Sequence, residues 1–460
     1  MSIEVNKALF EKARTHQPLN QPALSEYVRI QEDLGRFEVD QRAYMDEAVF
    51  KKERDTIFSK CWLYIGHESE IRNPKDYLTR TVGGYDLIFH RNRKGDVKAF
   101  HNYCTHRGPI LEVEEHGSKN VFTCPYHGWV FDGEGKLRDY GASCGYEANF
   151  NADGRYNLEE VPRLDQYRGF YFINFNPKAI DLKSYLAGAT DFLDLMVDQA
   201  PEGKGLEIIS GEQGLVNGGN WKVITDNFVD SYHGPSLHSS YFFNYAPKRT
   251  ENAQLISGFV GDAGGLGNGH NYFENQLGLG RPVAVWIPAF GEETKPLIEA
   301  HGEELRAKWG EEKGARITAS NRNMVIFPNL VITDNISMSV RSVYPETVDS
   351  FRMNIWAVGI EGEHESVRDV RLRNHLSFVG PAGFAHPDDF EIFERQRRAY
   401  HTTPAKWFDF SKGMASGTDV IEDGDRRKVR GHMMDESQQR AWWTQWDRII
   451  AGAESLSVEE

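Results

Sequence analysis

The chain has 460 residues, which at roughly 150 residues per domain allows two or three domains with a sizeable buried core. Its 53 Lys and Arg and 68 Asp and Glu give a formal charge of −15, which opposes binding to nucleic acids and anionic membranes. No apolar run approaches the roughly 18 residues that span a bilayer, and the charged N-terminus lacks the apolar stretch of a signal peptide. We therefore expect a cytoplasmic protein without a membrane anchor.

The first third of the chain predicts two helices followed by a small β domain. Residues 21–34 are polar with spaced apolar positions, and residues 46–60 place Val49, Phe50 and Ile57 on one helical face. From Cys61 onwards the pattern changes to short β-rich runs separated by glycine-containing turns. This pattern predicts a small antiparallel β domain that ends near residue 167.

The rest of the chain predicts a larger domain with an antiparallel sheet flanked by helices, so the fold class is α+β. Residues 258–280 contain too many glycines for a regular element and are interpreted as a mobile loop. Helical patterns alternate with strand-like runs: the helices are predicted at 182–195, 221–232, 365–400 and 436–451, and the strands at 283–287, 323–332, 337–344 and 351–360.

A first metal-binding pattern pairs one cysteine with one histidine twice. Cys104 and His106 are followed, after seventeen residues, by Cys124 and His127, and a glycine comes directly after or soon after each pair. Two Cys and two His are the ligands of a Rieske [2Fe-2S] cluster, in which the histidines hold one iron and the cysteines the other. Zinc also accepts two Cys and two His, but its usual spacing pairs Cys with Cys and His with His. The remaining histidines and cysteines of this region are expected to be core or surface residues: His67, His90, His101, His116, Cys61 and Cys144.

A second pattern lies in the segment NWKVITDNFVDSYHGPSLH, which begins at Asn220, a plausible helix N-cap. On a helix that continues from Trp221, Asp230 and His233 would share a face. His233 and His238 are five residues apart, so both reach one metal only if the helix breaks, and Gly234-Pro235 is predicted to supply that break. Two histidines and a carboxylate form the site of O₂-activating non-haem Fe(II), but spacing alone does not locate the carboxylate.

Together these motifs resemble the large (alpha) subunits of Rieske non-haem iron aromatic ring-hydroxylating dioxygenases. The family's motifs C-x-H-R-G, C-x-x-H-G-W and D-x-x-H-x-x-x-x-H after N-W-K all occur here, in the family's order. The family's third iron ligand is the second Asp of a D-D pair after G-P-A-G, which implies Asp389, with Asp388 as the second choice. Some members carry an Asn four residues before the aspartate of the histidine motif, whereas Asn227 is three residues before Asp230, so we do not expect Asn227 to lie near the iron.

The resemblance implies three segments: an N-terminal helical segment over 1–40, a Rieske domain over 41–167 and a catalytic domain of helix-grip type over 168–460. It implies a terminal oxygenase with one [2Fe-2S] cluster and one Fe²⁺ per chain that cis-dihydroxylates an aromatic ring. Monohydroxylation or O- or N-demethylation by the same iron chemistry is the nearest alternative. A Rieske electron carrier would not need the second histidine pair, and a zinc-stabilised binding module is a further alternative.

The resemblance also implies partners. The chain has no ferredoxin-type cysteine motif and no dinucleotide-binding glycine motif in a strand–helix context, so electrons must come from a separate reductase, directly or through a ferredoxin. In the family, a trimer, often completed by a small β subunit, brings the Rieske domain of one subunit to the catalytic domain of the next. Asp230 would then bridge His233 and His127 of the partner subunit. The residues placed to line an apolar substrate pocket are Phe228, Val229, Phe378, Val379, Phe384 and Ala385.

Overall fold

The computed structural model describes residues 23–141, 145–251, 261–416, 419–423, 426–453 and 456–457. The chain divides into two compact units, the larger formed by Met1–Ile57 with Lys183–Ser455 and the smaller by Phe58–Leu182 with Leu456–Glu460. These limits differ from the boundaries of 40/41 and 167/168 expected from the sequence. The expected fold class, a small antiparallel β domain beside a larger α+β domain, is confirmed.

The first described segment is a β-hairpin, so the helix predicted over 21–34 is wrong in its described part. Val28 is buried and Arg29 exposed, the two-residue alternation of a strand, and Gly35 closes the turn with a left-handed φ of 61°. The helix predicted over 46–60 is confirmed, with the Asp46 side chain capping its first turn. The elements of this segment are β1 (Val28–Gln31), β2 (Arg36–Asp40), α1 (Arg42–Met45) and α2 (Glu47–Glu53), which continues into a π-helical turn over Arg54–Phe58.

The smaller unit consists of three antiparallel sheets, in which the strand orders are β3-β12-β11, β6-β5-β4-β7 and β8-β9-β10. Buried aromatic side chains, among them Trp129 and Phe131, fill its core together with Cys104 and Cys124. Its strands are β3 (Leu63–His67), β4 (Asp76–Val82), β5 (Tyr85–Arg91), β6 (Val97–His101), β7 (His116–Ser118), β8 (Val121–Thr123), β9 (Trp129–Asp132), β10 (Leu137–Tyr140), β11 (Arg163–Tyr167) and β12 (Phe170–Asn174).

The larger unit is built on a nine-stranded antiparallel sheet with the order β13-β19-β18-β17-β16-β15-β14-β22-β21, while β1, β2 and β20 form a separate small sheet. Its strands are β13 (Leu206–Gly218), β14 (Gly261–Gly267), β15 (His270–Asn275), β16 (Asn321–Ile326), β17 (Leu330–Asp334), β18 (Met338–Thr347), β19 (Ser350–Ile360), β20 (Trp407–Asp409), β21 (Asp419–Asp423) and β22 (Arg426–His432). Its further helices are α3 (Leu182–Leu186), α4 (Ala189–Val197), α5 (Lys222–Phe228), α6 (Gly234–Leu237), α7 (Ala246–Thr250), α8 (Lys295–Ala319), α9 (Glu365–Val379), α10 (His386–Thr402) and α11 (Ser437–Ile450).

The mobile loop predicted over 258–280 is wrong for residues 261–275, which form the hairpin of β14 and β15, whereas residues 276–280 have no regular secondary structure. The glycines are needed because α11 packs directly on this hairpin. A Cβ at Gly265 would lie 2.8 Å from the Cβ of Ala441, and one at Gly269 would lie 2.6 Å from the Cβ of Gln445. Residues 258–260 of the predicted loop lie outside the described residues.

Three further predictions need correction. Residues 283–287 form a turn and not a strand, because the backbone N–H groups of Arg281 and Val285 each bond to the carbonyl of the other. The single strand predicted over 323–332 is two strands, β16 and β17, joined by a turn that contains Pro328. The helix predicted over 221–232 ends at Phe228.

The core of the larger unit contains three fully buried tryptophans on α11, which are Trp442, Trp443 and Trp446. Glu53 from α2 is also fully buried there and accepts hydrogen bonds from Trp221, Lys222 and Trp446. This cluster ties α2 and α11 to the start of α5, the helix that leads into the second histidine motif. Among the residues that the structure describes, no helix has both the length and the apolar character required to cross a membrane.

Candidate metal centres

Two loops of the smaller unit carry the Cys-His pairs and have the same local conformation. One loop follows β6 and the other joins β8 to β9. Gly108 N donates to Cys104 O at 2.8 Å, and Gly128 N donates to Cys124 O at 3.1 Å. Both glycines have left-handed φ values, of 80° and 70°, which an L side chain rarely adopts. The two loops therefore turn in the same way after their cysteines, although His106 follows Cys104 by two residues and His127 follows Cys124 by three.

The four side chains are arranged as a thiol pair and an imidazole pair. Cys104 and Cys124 are almost fully buried in the same core cluster, while the ring centroids of His106 and His127 lie 4.8 Å apart. A single zinc ion would require all four ligand atoms around one point. Among the described residues, these four do not contribute to any group of three ligand atoms lying within 4.8 Å of one another. Separate pairs are what two irons of one cluster require.

The environment of these ligands also favours a metal cluster. Burial raises the pKa of the Cys104 thiol to about 11, although backbone N–H groups of His106 and Arg107 act against this rise. A metal ion bound to the sulfur would favour the thiolate form. The Nδ1 atom of His106 is buried without a hydrogen-bond partner among the described residues, and its ring stacks on Trp129 at 4.5 Å. The residues present thus fit a Rieske [2Fe-2S] cluster.

The other histidines and Cys61 of this unit have different surroundings. Cys61 is fully buried, as expected, and Cys144 lies outside the described residues. The Nδ1 atom of His67 accepts from the Ser69 backbone, His90 contacts the Asp76 carbonyl at 3.1 Å, the His101 ring packs on Tyr85, and His116 is exposed on β7.

The second histidine motif is formed by a loop and one short helix. Because α5 ends at Phe228, Asp230 and His233 do not share a helical face as predicted, and Asp230 lies in the loop that follows. The predicted break at Gly234-Pro235 is also wrong, since these residues begin α6, where proline is well tolerated in the first turn. His233 and His238 therefore stand at the two ends of α6.

His233, His238 and Asp389 converge on one point. The Nε2 atoms of the two histidines are 3.2 Å apart, and Asp389 Oδ1 lies 3.7 Å from His233 Nε2 and 3.3 Å from His238 Nε2. Asp389 comes from the first turn of α10, directly after the G-P-A-G turn. Two imidazoles and one carboxylate are the ligand set of mononuclear non-haem Fe(II) sites with open positions. The donor atoms and their spacing fit such an ion.

A second carboxylate lies behind each of these histidines. Asp388 Oδ2 is 3.4 Å from His238 Nδ1, and Asp230 Oδ2 is 3.6 Å from His233 Nδ1. Carboxylates in this position fix the orientation of metal-binding imidazoles and raise their basicity. Burial alone would lower the pKa of His233, but Asp230 and Asp389 outweigh burial and raise it. Asp388, the second choice as a ligand, is thus placed to orient His238.

Asn227 lies at the site, contrary to the expectation from its spacing. Its Nδ2 donates to Asp389 Oδ1 at 3.1 Å and lies 3.4 Å from His233 Nε2. Because α5 ends at Phe228, the chain between Asn227 and Asp230 is not helical throughout. The Asn227 amide therefore reaches the ligands although its spacing from Asp230 is three residues and not the four found in some family members. The sequence between N-W-K and the histidines would have indicated a position of Asn227 near the iron ligands only if the end of α5 at Phe228 had been known.

The residues predicted to line a pocket have different surroundings. Phe228 lies beneath the buried guanidinium of Arg341, a residue that the sequence patterns did not single out. The ring of Phe378 lies 6.2 Å from that of His238, and Phe384 packs on Tyr245. The three smaller predicted residues are buried: Val229, Val379 and Ala385.

Comparison with known proteins assigns both units. Residues 61–145 match the model of the Rieske [2Fe-2S] domain. Residues 209–452, more than half of the chain, match the model of the ring-hydroxylating alpha subunit catalytic domain.

Relatives match over almost the whole chain. It is 32% identical to the 2-halobenzoate 1,2-dioxygenase large subunit of Burkholderia cepacia, covering 92% of this chain and 91% of that protein. It is 32% identical to the toluate 1,2-dioxygenase alpha subunit of Pseudomonas putida, with 79% of each covered. A crystal structure of a naphthalene 1,2-dioxygenase variant bound to phenanthrene superposes with a TM-score of 0.81 at 23% identity, covering 95% of this chain and 96% of that one. The chain therefore belongs to the alpha subunits of the Rieske-type ring-hydroxylating dioxygenases.

Proposed function

We propose that the protein is the terminal oxygenase of a multicomponent system that cis-dihydroxylates an aromatic ring. The observation that carries this proposal is the presence in one chain of two different metal-ligand sets. Cys104, His106, Cys124 and His127 suit one-electron transfer, and His233, His238 and Asp389 suit oxygen activation. Electrons come from a separate NAD(P)H-dependent reductase, directly or through a ferredoxin, in the cytoplasm.

When both groups are bound, the cluster supplies single electrons and the iron supplies reductive activation of O₂. The chain itself contributes orientation and charge. Asp389 supplies one negative charge to the iron site, and the amide of Asn227 holds that carboxylate by a 3.1 Å hydrogen bond. The carboxylate of Asp388 keeps the Nε2 atom of His238 directed at the site. Phe228 and Phe378 supply apolar surface on which an aromatic ring packs.

We assign Asp230 the role of a positioning residue between the two kinds of site. Its Oδ1 accepts hydrogen bonds from Tyr232 N at 2.6 Å and His233 N at 3.3 Å, so the carboxylate is held in place by the backbone. Its side chain is 26% exposed and the ring of His127 is exposed in the smaller unit, so both can meet another molecule. In a trimer, α₃ or α₃β₃ with a small β subunit, Asp230 would bridge His233 to His127 of the partner subunit.

The bridging role is tested by Asp230→Asn, which keeps shape and removes charge. We expect both metal sites to stay occupied while oxidation of a prereduced cluster, followed with substrate and O₂ present, slows by orders of magnitude. The matched control is Asp369→Asn, an exposed aspartate paired with Arg373, which should oxidise at the wild-type rate. Wild-type oxidation in Asp230→Asn would contradict the bridge.

The relatives' names leave two substrate classes open. Halobenzoate and toluate are aromatic carboxylates, whereas naphthalene is an uncharged arene. The test of the proposed reaction is product analysis after turnover with a reductase, dioxygen and a panel from both classes. A cis-dihydrodiol supports the proposal. A phenol, or formaldehyde released from a methoxy or N-methyl substrate without any diol, would favour monohydroxylation or demethylation and contradict it.

A further inference from the structure

Arg341 places a buried guanidinium between apolar residues of the nine-stranded sheet. Arg341 lies in the middle of β18 and is 1% exposed. The residues in register with it on both sides are apolar, Val331 on β17 and Ile355 on β19. Burying a guanidinium among aliphatic side chains costs free energy unless its charge and its N–H groups find partners.

Unlike the buried Arg281 and Arg371, Arg341 has no carboxylate partner among the described residues. Arg281 pairs with Asp334 at 2.8 Å, and Arg371 pairs with Glu363 at 2.8 Å. For Arg341, the Nε and Nη1 atoms are buried and make no hydrogen bond to any described residue. A bound anion would supply the hydrogen-bond acceptors and the negative charge that the described residues do not provide to Arg341.

The guanidinium lies on the side of the sheet that faces the iron ligands. Its central carbon is 4.3 Å from the ring centroid of Phe228, the residue that follows Asn227 in α5. Burial lowers the pKa of Arg341 to about 9, and the nearby carboxylate of Asp389 acts against this lowering. The charge is therefore close to the iron site without forming an ion pair with its ligand.

Neutral polar groups line the same face of the sheet. Gln213 on β13 is in register with Ile355, which is in register with Arg341, so all three lie on one face. Gln213 Nε2 lies 3.2 Å from His375 Nε2, while Gln213 Oε1 and His375 Nδ1 are buried without partners among the described residues. Burial, and then the charge of Arg341, lower the pKa of His375 to about 4, so this imidazole is neutral.

We propose that Arg341 binds the carboxylate of an aromatic acid and so holds its ring between Phe228 and the iron ligands. A planar guanidinium matches a carboxylate with two parallel hydrogen bonds, and one positive charge balances one negative charge. His375, which contacts Gln213 on the same face of the sheet, would add a neutral polar group to this site. The inference rests on the proposed oxygenase function and selects its substrate class, the aromatic carboxylates.

Equilibrium dialysis with the metal-loaded enzyme tests this site without turnover, using benzoate and its uncharged analogue benzamide as probes. The wild type should bind benzoate at least about 100-fold more tightly than Arg341→Met does, while benzamide binding changes less than about threefold. Arg341→Lys keeps the charge but loses the two parallel hydrogen bonds, so its affinity for benzoate should lie between those of the wild type and Arg341→Met. Arg352→Met is the matched control, because Arg352 lies on the neighbouring strand, is half exposed and pairs with Glu346.

Arg341→Met should fold, because it removes an unpaired buried charge. Iron content and the visible spectrum of the cluster check this, and benzoate should raise the melting temperature of the wild type but not of the variant. Equal benzoate affinity in the wild type and Arg341→Met, or no wild-type preference for benzoate over benzamide, would overturn the proposal. Failure of the proposed oxygenase function can be distinguished from failure of this proposal. In that case benzoate binding would depend on Arg341, but the reduced enzyme would form no cis-diol.

Discussion

Replacing Glu53 with leucine tests what holds the helix that leads into the iron site. Glu53 is fully buried and accepts from Lys222 Nζ at 2.7 Å and from the indole N–H groups of Trp221 and Trp446 at 2.9 and 2.8 Å. Removing one partner of a buried ion pair costs about 3–5 kcal/mol, and each orphaned N–H about 1–3 kcal/mol. Glu53→Leu should therefore lower the free energy of unfolding by at least about 5 kcal/mol.

Urea unfolding followed by tryptophan fluorescence measures this loss, because Trp221 and Trp446 both donate hydrogen bonds to Glu53. The double variant Glu53→Leu/Lys222→Met removes the stranded charge and should recover at least about 2 kcal/mol of it. Lys51→Leu, on the exposed side of α2, should stay within about 0.5 kcal/mol of the wild type. A loss below about 2 kcal/mol in Glu53→Leu, or no recovery in the double variant, would refute the reasoning.

Three other predictions concern the metals and pH. Cys104→Ala should abolish the visible and EPR spectrum of the cluster, whereas Cys61→Ala should leave it intact; a normal spectrum in the former would disprove the ligand assignment. Asp389→Ala should lose the mononuclear iron and keep the cluster, so that iron falls from about three to about two per chain; Asp388→Ala should keep the iron with about 10–100-fold weaker affinity in chelator competition. Burial lowers the pKa of His270 from 6.5 to about 4. The free energy of unfolding should therefore decrease as the pH falls from 6.5 towards 4, by about 2 kcal/mol at pH 5. His270→Gln should flatten this pH dependence in urea unfolding.

Motif spacing identified most of the proposed metal ligands because each motif is short. Cys104 with His106, and Cys124 with His127, lie within tight loops whose conformation depends on a following glycine, so local sequence determines their geometry. Asp389 needed the family resemblance, since nothing in its local sequence relates it to the histidines.

What the sequence could not predict depends on packing between distant segments. The glycines of the β14–β15 hairpin are explained by α11, which approaches Gly265 and Gly269 too closely for any side chain. Asn227 reached the iron site because α5 ends early. Arg341 could be recognised as unpaired only once the register of β17, β18 and β19 was known.

The most direct test of the account is a single turnover of the fully reduced, metal-loaded enzyme under ¹⁸O₂, with benzoate as the probe. We predict a cis-dihydrodiol in which both hydroxyl oxygens carry the label, because both metal centres act on one dioxygen molecule and one ring. A parallel turnover with naphthalene covers the uncharged arenes, and a product with one labelled oxygen, or oxidation of the cluster without any labelled product from either probe, would contradict the proposed ring dihydroxylation.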